Sequence, residues 1–210
     1  MAATPLVHVV DDDDAVRDSL AVMLESAGFA VRTYGSATAL LAATMGTIGC
    51  VVTDVRMPEM DGLELQRRLA ETGPPLPVIV MTGHGDVPIA VEAMRAGAAD
   101  FLEKPFDDEQ LLASVRRAIA ASERARDETE AAADIAARLT SLTPKEREVL
   151  DKLVQGLPNK TIAYDLGSSP RTVEVHRARV MEKMGARSLP ELVRMTITVS
   201  GGGLAKPSRR

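Results

Sequence analysis

Five short apolar runs, each rich in Val, Ile, Phe or Tyr and separated by amphipathic stretches, set the strongest limit on how this 210-residue chain can fold. They cover residues 6–10, 30–34, 49–54, 77–81 and 100–103 and are bounded by Gly, Pro or Asp, the pattern of buried strands. Between them lie segments with helical spacing. Val16, Leu20 and Leu24 precede Gly28, Leu63, Leu65 and Leu69 precede Gly73-Pro74-Pro75, and Val87, Val91 and Met94 precede Gly97. Five such βα units imply an α/β fold, a parallel sheet covered by helices on both faces. By the same spacing, at least two of Val87, Val91 and Met94 are expected in the core.

Charged residues stand at the ends of these runs. Asp11-Asp12-Asp13-Asp14 follows the first, Asp54 closes the third, Thr82 follows the fourth and Lys104 follows the fifth. If the runs are neighbouring parallel strands, all of these side chains converge at one sheet edge, where open α/β proteins place their chemistry. A carboxylate that accepts a phosphoryl group as an acyl phosphate must meet another anion, so a cation is needed between them. Mg²⁺ suits the task, because it favours oxygen ligands and is held by one or two carboxylates with waters and phosphate completing the shell. Lys104 would neutralise a further phosphate oxygen and the Thr82 hydroxyl would bond another. Asp13 or Asp14 is placed to cap the helix containing Arg17.

From Asp107 onward the pattern changes. Leu111, Val115 and Ala118 or Ile119 mark a fifth helix, and Glu123 to Arg138 contains no Gly or Pro and much Ala, Glu and Arg. The helix is therefore expected to continue as a connector of about 30 residues, roughly 45 Å at 1.5 Å per residue. A flexible solvated linker is the alternative. Thr143-Pro144-Lys145-Glu146 then reads as a capping box opening a helix that stops at Gly156. Asn159 to Leu166, Pro170 to Met184 and Ser188 to about Val199 form three more helices, and the Gly-rich basic tail 200–210 is expected to be disordered.

Charge divides the chain in the same places. Residues 1–122 carry 18 acids against 9 bases, residues 123–140 carry 5 against 3, and residues 141–210 carry 7 against 13. A basic end on a chain of net charge −5 points to a polyanion partner for that end alone. The two helices around Gly167-Ser168-Ser169 form a helix-turn-helix arrangement. On the second of them, Val173, Val180 and Met184 lie at core spacing and Arg171, Glu174, Val175 and Ala178 face outward. Arg reads guanine, Glu accepts from cytosine N4, and Val and Ala touch a thymine methyl. Lys160, Arg177 and Arg179 suit phosphates, which fix register without reading sequence. His176, lacking nearby partners, reads as a packing and phosphate-contact residue, and Thr172 is counted with this surface.

These residues resemble a known family. Val9-Val10-Asp11-Asp12, Thr53-Asp54-Val55-Arg56-Met57-Pro58 with Asp61-Gly62, Met81-Thr82-Gly83 and Phe101-Leu102-Glu103-Lys104-Pro105-Phe106 resemble the receiver domain of two-component response regulators. Leu142 to Leu150, Asn159-Lys160-Thr161-Ile162-Ala163 and Arg171 to His176 resemble the LuxR-type (NarL-type) output domain. The pairing is most similar to the FixJ subgroup, helped by Thr82-Gly83-His84-Gly85-Asp86 and by His176 to Met184. The resemblance implies a flavodoxin-like, CheY-like receiver with strand order 2-1-3-4-5 over residues 1–122, a helical linker over 123–140 and an all-α four-helix DNA-binding domain over 141–199. It implies that Asp54 is phosphorylated by a sensor histidine kinase. Asp12, Asp54 and the backbone carbonyl of Arg56 would bind Mg²⁺ directly, with Asp11 acting largely through water. Lys104 and Thr82 would hold the phosphoryl oxygens, and Phe101 would be the switch aromatic, where other receivers often have Tyr. A homodimer formed on phosphorylation, promoter DNA and RNA polymerase are the further partners it implies.

Two other classes fit parts of the pattern. Aspartyl-nucleophile phosphohydrolases share strand-end carboxylates, Mg²⁺ and a Lys, but place a second Asp two residues beyond the nucleophile, where Arg56 stands here. Alternatively, the terminal helices would bind protein rather than DNA. The single cysteine, Cys50, fits a reducing compartment, and Met1 to Pro5 is not followed by a long apolar stretch, so a cytoplasmic protein without a membrane partner is expected.

Overall fold

The computed structural model describes residues 5–43, 48–71, 76–83 and 87–200. Five parallel strands, β1 (Leu6–Val10), β2 (Ala30–Tyr34), β3 (Gly49–Asp54), β4 (Val78–Thr82) and β5 (Asp100–Glu103), form one sheet in the order β2-β1-β3-β4-β5. Helices α1 (Asp14–Ser26), α2 (Ala37–Ala42), α3 (Gly62–Glu71), α4 (Val87–Arg95) and α5 (Asp108–Thr140) connect and cover it. Alternate strand residues serve opposite faces. Val10, Val51, Val78 and Val80 pack with Leu40, Leu65, Leu69 and Ala93 on one side, while Val9, Val52, Ile79 and Met81 pack with Leu20, Leu24, Leu111 and Val115 on the other. In the register Val10 lies opposite Thr53, Asp54 opposite Met81 and Thr82 opposite Glu103. The carboxyl ends of β1, β3, β4 and β5 therefore finish together, as the alternation of runs and charged ends requires.

Two expectations shift. The fourth strand starts one residue later than the apolar run, because Pro77 has no N–H to enter the ladder; its carbonyl accepts from Val51 N at 2.9 Å, and Thr82 becomes the last strand residue. The phase of α4 also differs. Val91 and Met94 are 45% and 51% exposed, whereas Ala93 is fully buried and Ile89 partly so. The line facing the sheet runs through Ile89 and Ala93, and the small Ala93 lets α4 approach closely enough for its carbonyl to accept from Gln66 Nε2. At the start of α1, Asp13 is the cap, accepting from Ala15 N and Val16 N, while Asp14 lies in the first turn and pairs with Arg17.

Helix α5 is continuous over 33 residues. It is followed by α6 (Pro144–Val154), α7 (Asn159–Asp165), α8 (Pro170–Met184) and α9 (Leu189–Ser200). Internal packing divides the chain at Asp127/Glu128, in the middle of α5. The second unit has its own core of Val149, Leu150, Leu153, Ile162, Val173, Val180, Met184 and Leu192, against which Ile135 and Leu139 of the last turns of α5 pack. The basic tail beyond Ser200, and His84-Gly85-Asp86, lie outside the described residues. No helix among the described residues is long and apolar enough to cross a membrane.

A polar pair sits inside the first unit. His8 is fully buried on β1 and stacks on Tyr34 at a centroid distance of 5.7 Å, with Nδ1 and the phenol oxygen 3.1 Å apart. Burial, and then the charge of Arg32, lower its pKa from 6.5 to about 4. A base with a lowered folded pKa contributes stability that is complete above its unfolded pKa and lost as pH falls towards the folded one. Urea unfolding is therefore expected to show a loss of stability between pH 6.5 and about 4 that is shallower in His8→Phe; an unchanged slope in that variant assigns the titration elsewhere.

Candidate functional site

Lys104 holds the first site together. Its ammonium donates to Asp11 Oδ2 at 3.0 Å and to Asp54 Oδ1 at 2.6 Å, joining β5 to β1 and β3 across the end of β4. Asp11 and Asp54 are 2% and 8% exposed, and Thr82, at the end of β4 between β3 and β5, is buried. The remaining carboxylate oxygens are occupied by backbone: Asp13 N donates to Asp11 Oδ1 at 3.0 Å, and Arg56 N donates to Asp54 Oδ2 at 2.6 Å. Lys104 N also donates to Thr82 O at 2.7 Å, so the two phosphoryl-binding candidates are tied through their main chains. Burial acts to discharge Lys104, but its hydrogen bonds to Asp54 and Asp11 outweigh that and raise the Lys104 pKa above the ordinary value. Asp12 is exposed at the rim. Among the described residues no three His, Cys, Asp or Glu side chains already form a metal cage.

Two supporting residues are less visible in sequence. Arg17, one turn into α1, donates Nη1 to the main-chain oxygen of Asp11, and the only signal for it is a cation three residues after Asp14. Gly62 opens α3 against the end of β3, donating its N–H to Val55 O; a Cβ there would stand 2.3 Å from Asp54 O. Its role is close approach, which only the absence of a side chain permits.

Phe101 lies on β5, partly buried, beside the outward-facing Val91 and Met94 of α4. The residue before it is clamped. Asp100 accepts from Phe101 N, Ser114 Oγ and Arg117 Nη2, and although burial alone would raise its pKa, these bonds hold it below the ordinary carboxylate range.

In the second unit the turn between α7 and α8 passes through Gly167 at φ +58°, and Ser169 caps α8 by accepting from Thr172 N. Along α8, Arg171, Thr172, Glu174, Val175, Ala178 and Arg179 are exposed, as is Lys160 on α7. His176 and Arg177 are half-buried: the His176 Nδ1 lies inside, and Arg177 Nη1 donates to Asn159 Oδ1 at 3.3 Å across the α7/α8 pair. Thr143 and Glu146 form the expected capping box. Glu146, only 2% exposed, also accepts from Lys183 Nζ at 2.6 Å, and the Lys183 and Thr143 bonds lower its pKa to about 2.

A parallel receiver-like sheet with an acidic edge and a basic helix-turn-helix unit define a class of switchable DNA-binding proteins. Residues 7–116 match the response regulator receiver domain and residues 140–196 match the luxR family of bacterial regulatory proteins, so the chain belongs to the two-component response regulators and controls transcription. It is 59% identical over 192 residues to the transcriptional regulatory protein FixJ of Azorhizobium caulinodans, covering 91% of each chain. It is 54% identical to the FixJ of Bradyrhizobium diazoefficiens, covering 91% of this chain and 94% of that one. Among solved structures it is similar to the response regulator StyR, with TM-score 0.83 and 41% identity over 93% of this chain and 99% of that one. It is also similar to full-length FixJ from B. japonicum, with TM-score 0.55 and 50% identity over 95% and 99%. Receiver domains generally bind Mg²⁺ for phosphorylation and imply a histidine kinase partner, and LuxR-type domains imply DNA binding. The phosphohydrolase and protein-docking alternatives are thereby set aside.

Gly62→Ala is expected to lower the unfolding free energy in urea by about 2 kcal/mol. Gly83→Ala, where an added Cβ meets nothing within 4 Å, serves as the control and should change it by less than about 0.5 kcal/mol.

Proposed function

We propose that Asp54 is the phosphoacceptor of a cytoplasmic regulator that is activated by phosphorylation and reads promoter DNA as a homodimer. The observation that carries this is the position of the Lys104 ammonium between Asp11 and Asp54. An oxygen of Asp54 attacks phosphorus, forming O–P as the N–P bond of the kinase's phosphohistidine breaks and the imidazole leaves. Lys104 turns from a carboxylate to a phosphoryl oxygen, and the Thr82 hydroxyl meets another.

The donor set fits a hard cation. Two nearly buried carboxylates converge on one ammonium, the exposed Asp12 adjoins them and every side-chain donor is oxygen. Asp12, Asp54 and the Arg56 carbonyl would hold Mg²⁺ directly, with Asp11 acting largely through water. When bound, the ion neutralises the repulsion between the incoming phosphoryl group and the acidic edge.

Phosphorylation adds anionic charge that draws Lys104 and Thr82 inward, and Phe101 turns in behind Thr82. The exposed Val91 and Met94 then take part in dimerisation through α4, β5 and the first turns of α5. Residues 1–122 act as receiver, 123–140 as connector and 141–199 as output domain. In the output domain Arg171, Thr172, Glu174, Val175 and Ala178 face base edges, while Lys160, His176, Arg177 and Arg179 meet phosphates. The half-buried position of Arg177 and its bond to Asn159 support a fixed, register-setting contact there. On DNA the dimer acts on RNA polymerase.

Incubation with a small phosphodonor and Mg²⁺ should add one phosphoryl mass to the wild-type chain and shift it to a dimer. Asp54→Asn should do neither; an Asp54→Asn protein that gains mass and dimerises overturns the mechanism. For DNA, Lys160→Ala and Arg179→Ala should each weaken binding across sequences and reduce the slope of log K against log salt by about 1. An unchanged slope removes that residue from the phosphate-contacting set.

A further inference from the structure

We propose that Arg138, near the end of α5, is a positioning residue for DNA reading: it caps the carboxyl end of α8 and so sets the angle at which that helix enters the groove. The inference rests on α8 being the recognition helix. Three observations converge on one spot. Arg138 Nη1 donates to the carbonyl of Met184, the last residue of α8, at 2.8 Å, while its Nη2 is held by Asp134 Oδ2 at 2.8 Å. The guanidinium is thus fixed between its own helix and the end of another. A cation donating to the last carbonyl of a helix satisfies an otherwise open acceptor and opposes the negative end of the helix dipole.

Gly185 makes room for the contact. It takes the left-handed conformation at φ +66°, and its N–H bonds back to Glu182 O and Met181 O. A Cβ on it would stand 2.4 Å from Arg138 Nη1 and meet no backbone atom within 4 Å. The obstacle is the far end of a flexible side chain, so an alanine would evict the guanidinium, and would in addition place a side chain in the left-handed region.

The neighbouring residue is tethered as well. Lys183 Nζ donates to Ser141 O at 3.2 Å and to Glu146 Oε2 at 2.6 Å, fixing the same end of α8 to the turn after α5 and to α6. Ile135 and Leu139, on either side of Arg138 in α5, pack on the core that contains Val180 and Met184. The carboxyl end of α8, away from the base-facing residues, is therefore tied to α5, to the turn after it and to α6. Val175 lies nine residues from Met184, about 14 Å along the axis at 1.5 Å per residue, so a small tilt at the cap becomes a displacement at the bases.

A cap that only stabilised the unit would lower the fraction of folded protein and weaken all DNA binding together. A cap that positions α8 changes the discrimination between sequences, because phosphate contacts tolerate small shifts and base contacts do not. The test uses the full chain, treated with a small phosphodonor and Mg²⁺. Fluorescence anisotropy is measured on a duplex selected from a random pool by the wild-type chain and on an unselected duplex of the same length.

Arg138→Gln and Gly185→Ala should each reduce the preference for the selected duplex about tenfold, the size expected for one charge-assisted hydrogen bond. Affinity for the unselected duplex and its salt slope should be unchanged, and Arg138→Lys should recover part of the preference. The double variant should be no worse than Gly185→Ala alone, since that change already removes the Arg138 contact. Equal loss on both duplexes, an unchanged preference in both single variants, or multiplicative losses in the double variant would each overturn the proposal. If the wild-type chain enriches no duplex and binds DNA without salt dependence, the DNA-reading assignment itself fails, a result distinct from failure of the cap.

Discussion

Two nearly buried carboxylates facing one another are tolerable only with a cation between them, and the Lys104 ammonium meets that requirement. Its reach from β5 to β1 and β3 depends on the strand order, because β1 and β3 are adjacent and β4 alone separates β3 from β5. The sheet thus does more than support the site. It fixes the separation between an anion pair and its counter-charge, and under the phosphorylation of Asp54 proposed above the phosphoryl group would compete for the same ammonium. In that proposal, a contact that is satisfied at rest and must be rearranged on modification would make the edge a switch rather than a static ion pair.

The second unit is ordered by helix ends. Thr143 and Ser169 cap α6 and α8 at their amino ends, Gly156, Gly167 and Gly185 take positive φ just beyond the carboxyl ends of α6, α7 and α8, and Glu146 ties the amino end of α6 to the last turn of α8 through Lys183. Each of these local arrangements satisfies backbone groups that a helix leaves open. Together they leave the solvent face of α8 free of structural duty, which is where Arg171, Glu174, Val175 and Ala178 stand.

The parts of the molecule that repeat with a local period were legible before any coordinates. Apolar runs located the strands to within a residue, and their polar and charged ends named Asp11, Asp54, Thr82 and Lys104, because a parallel sheet places equivalent strand ends together. Arg56 and Phe101 carried no local signal and entered only through family resemblance. The buried face of α4 was misread because Val91 and Met94 have the hydrophobicity of core residues. What decides is the close approach at Ala93, a tertiary fact that composition does not encode. Contacts between residues far apart in sequence, such as Arg138 to Met184, were silent for the same reason. One arginine among several on an Ala-, Glu- and Arg-rich helix looks like any solvated side chain.

Helix α5 has a consequence for how such a chain can vary. Its first turns bury Leu111, Val115, Ala118 and Ile119 in one core, and its last turns lay Ile135 and Leu139 on another. The stretch from Glu123 to Ala131 between them is mostly exposed. One helix therefore supplies a wall to each of two separate cores. A helix-breaking change in the first turns of α5 is thus expected to weaken the first core, and one in its last turns the second.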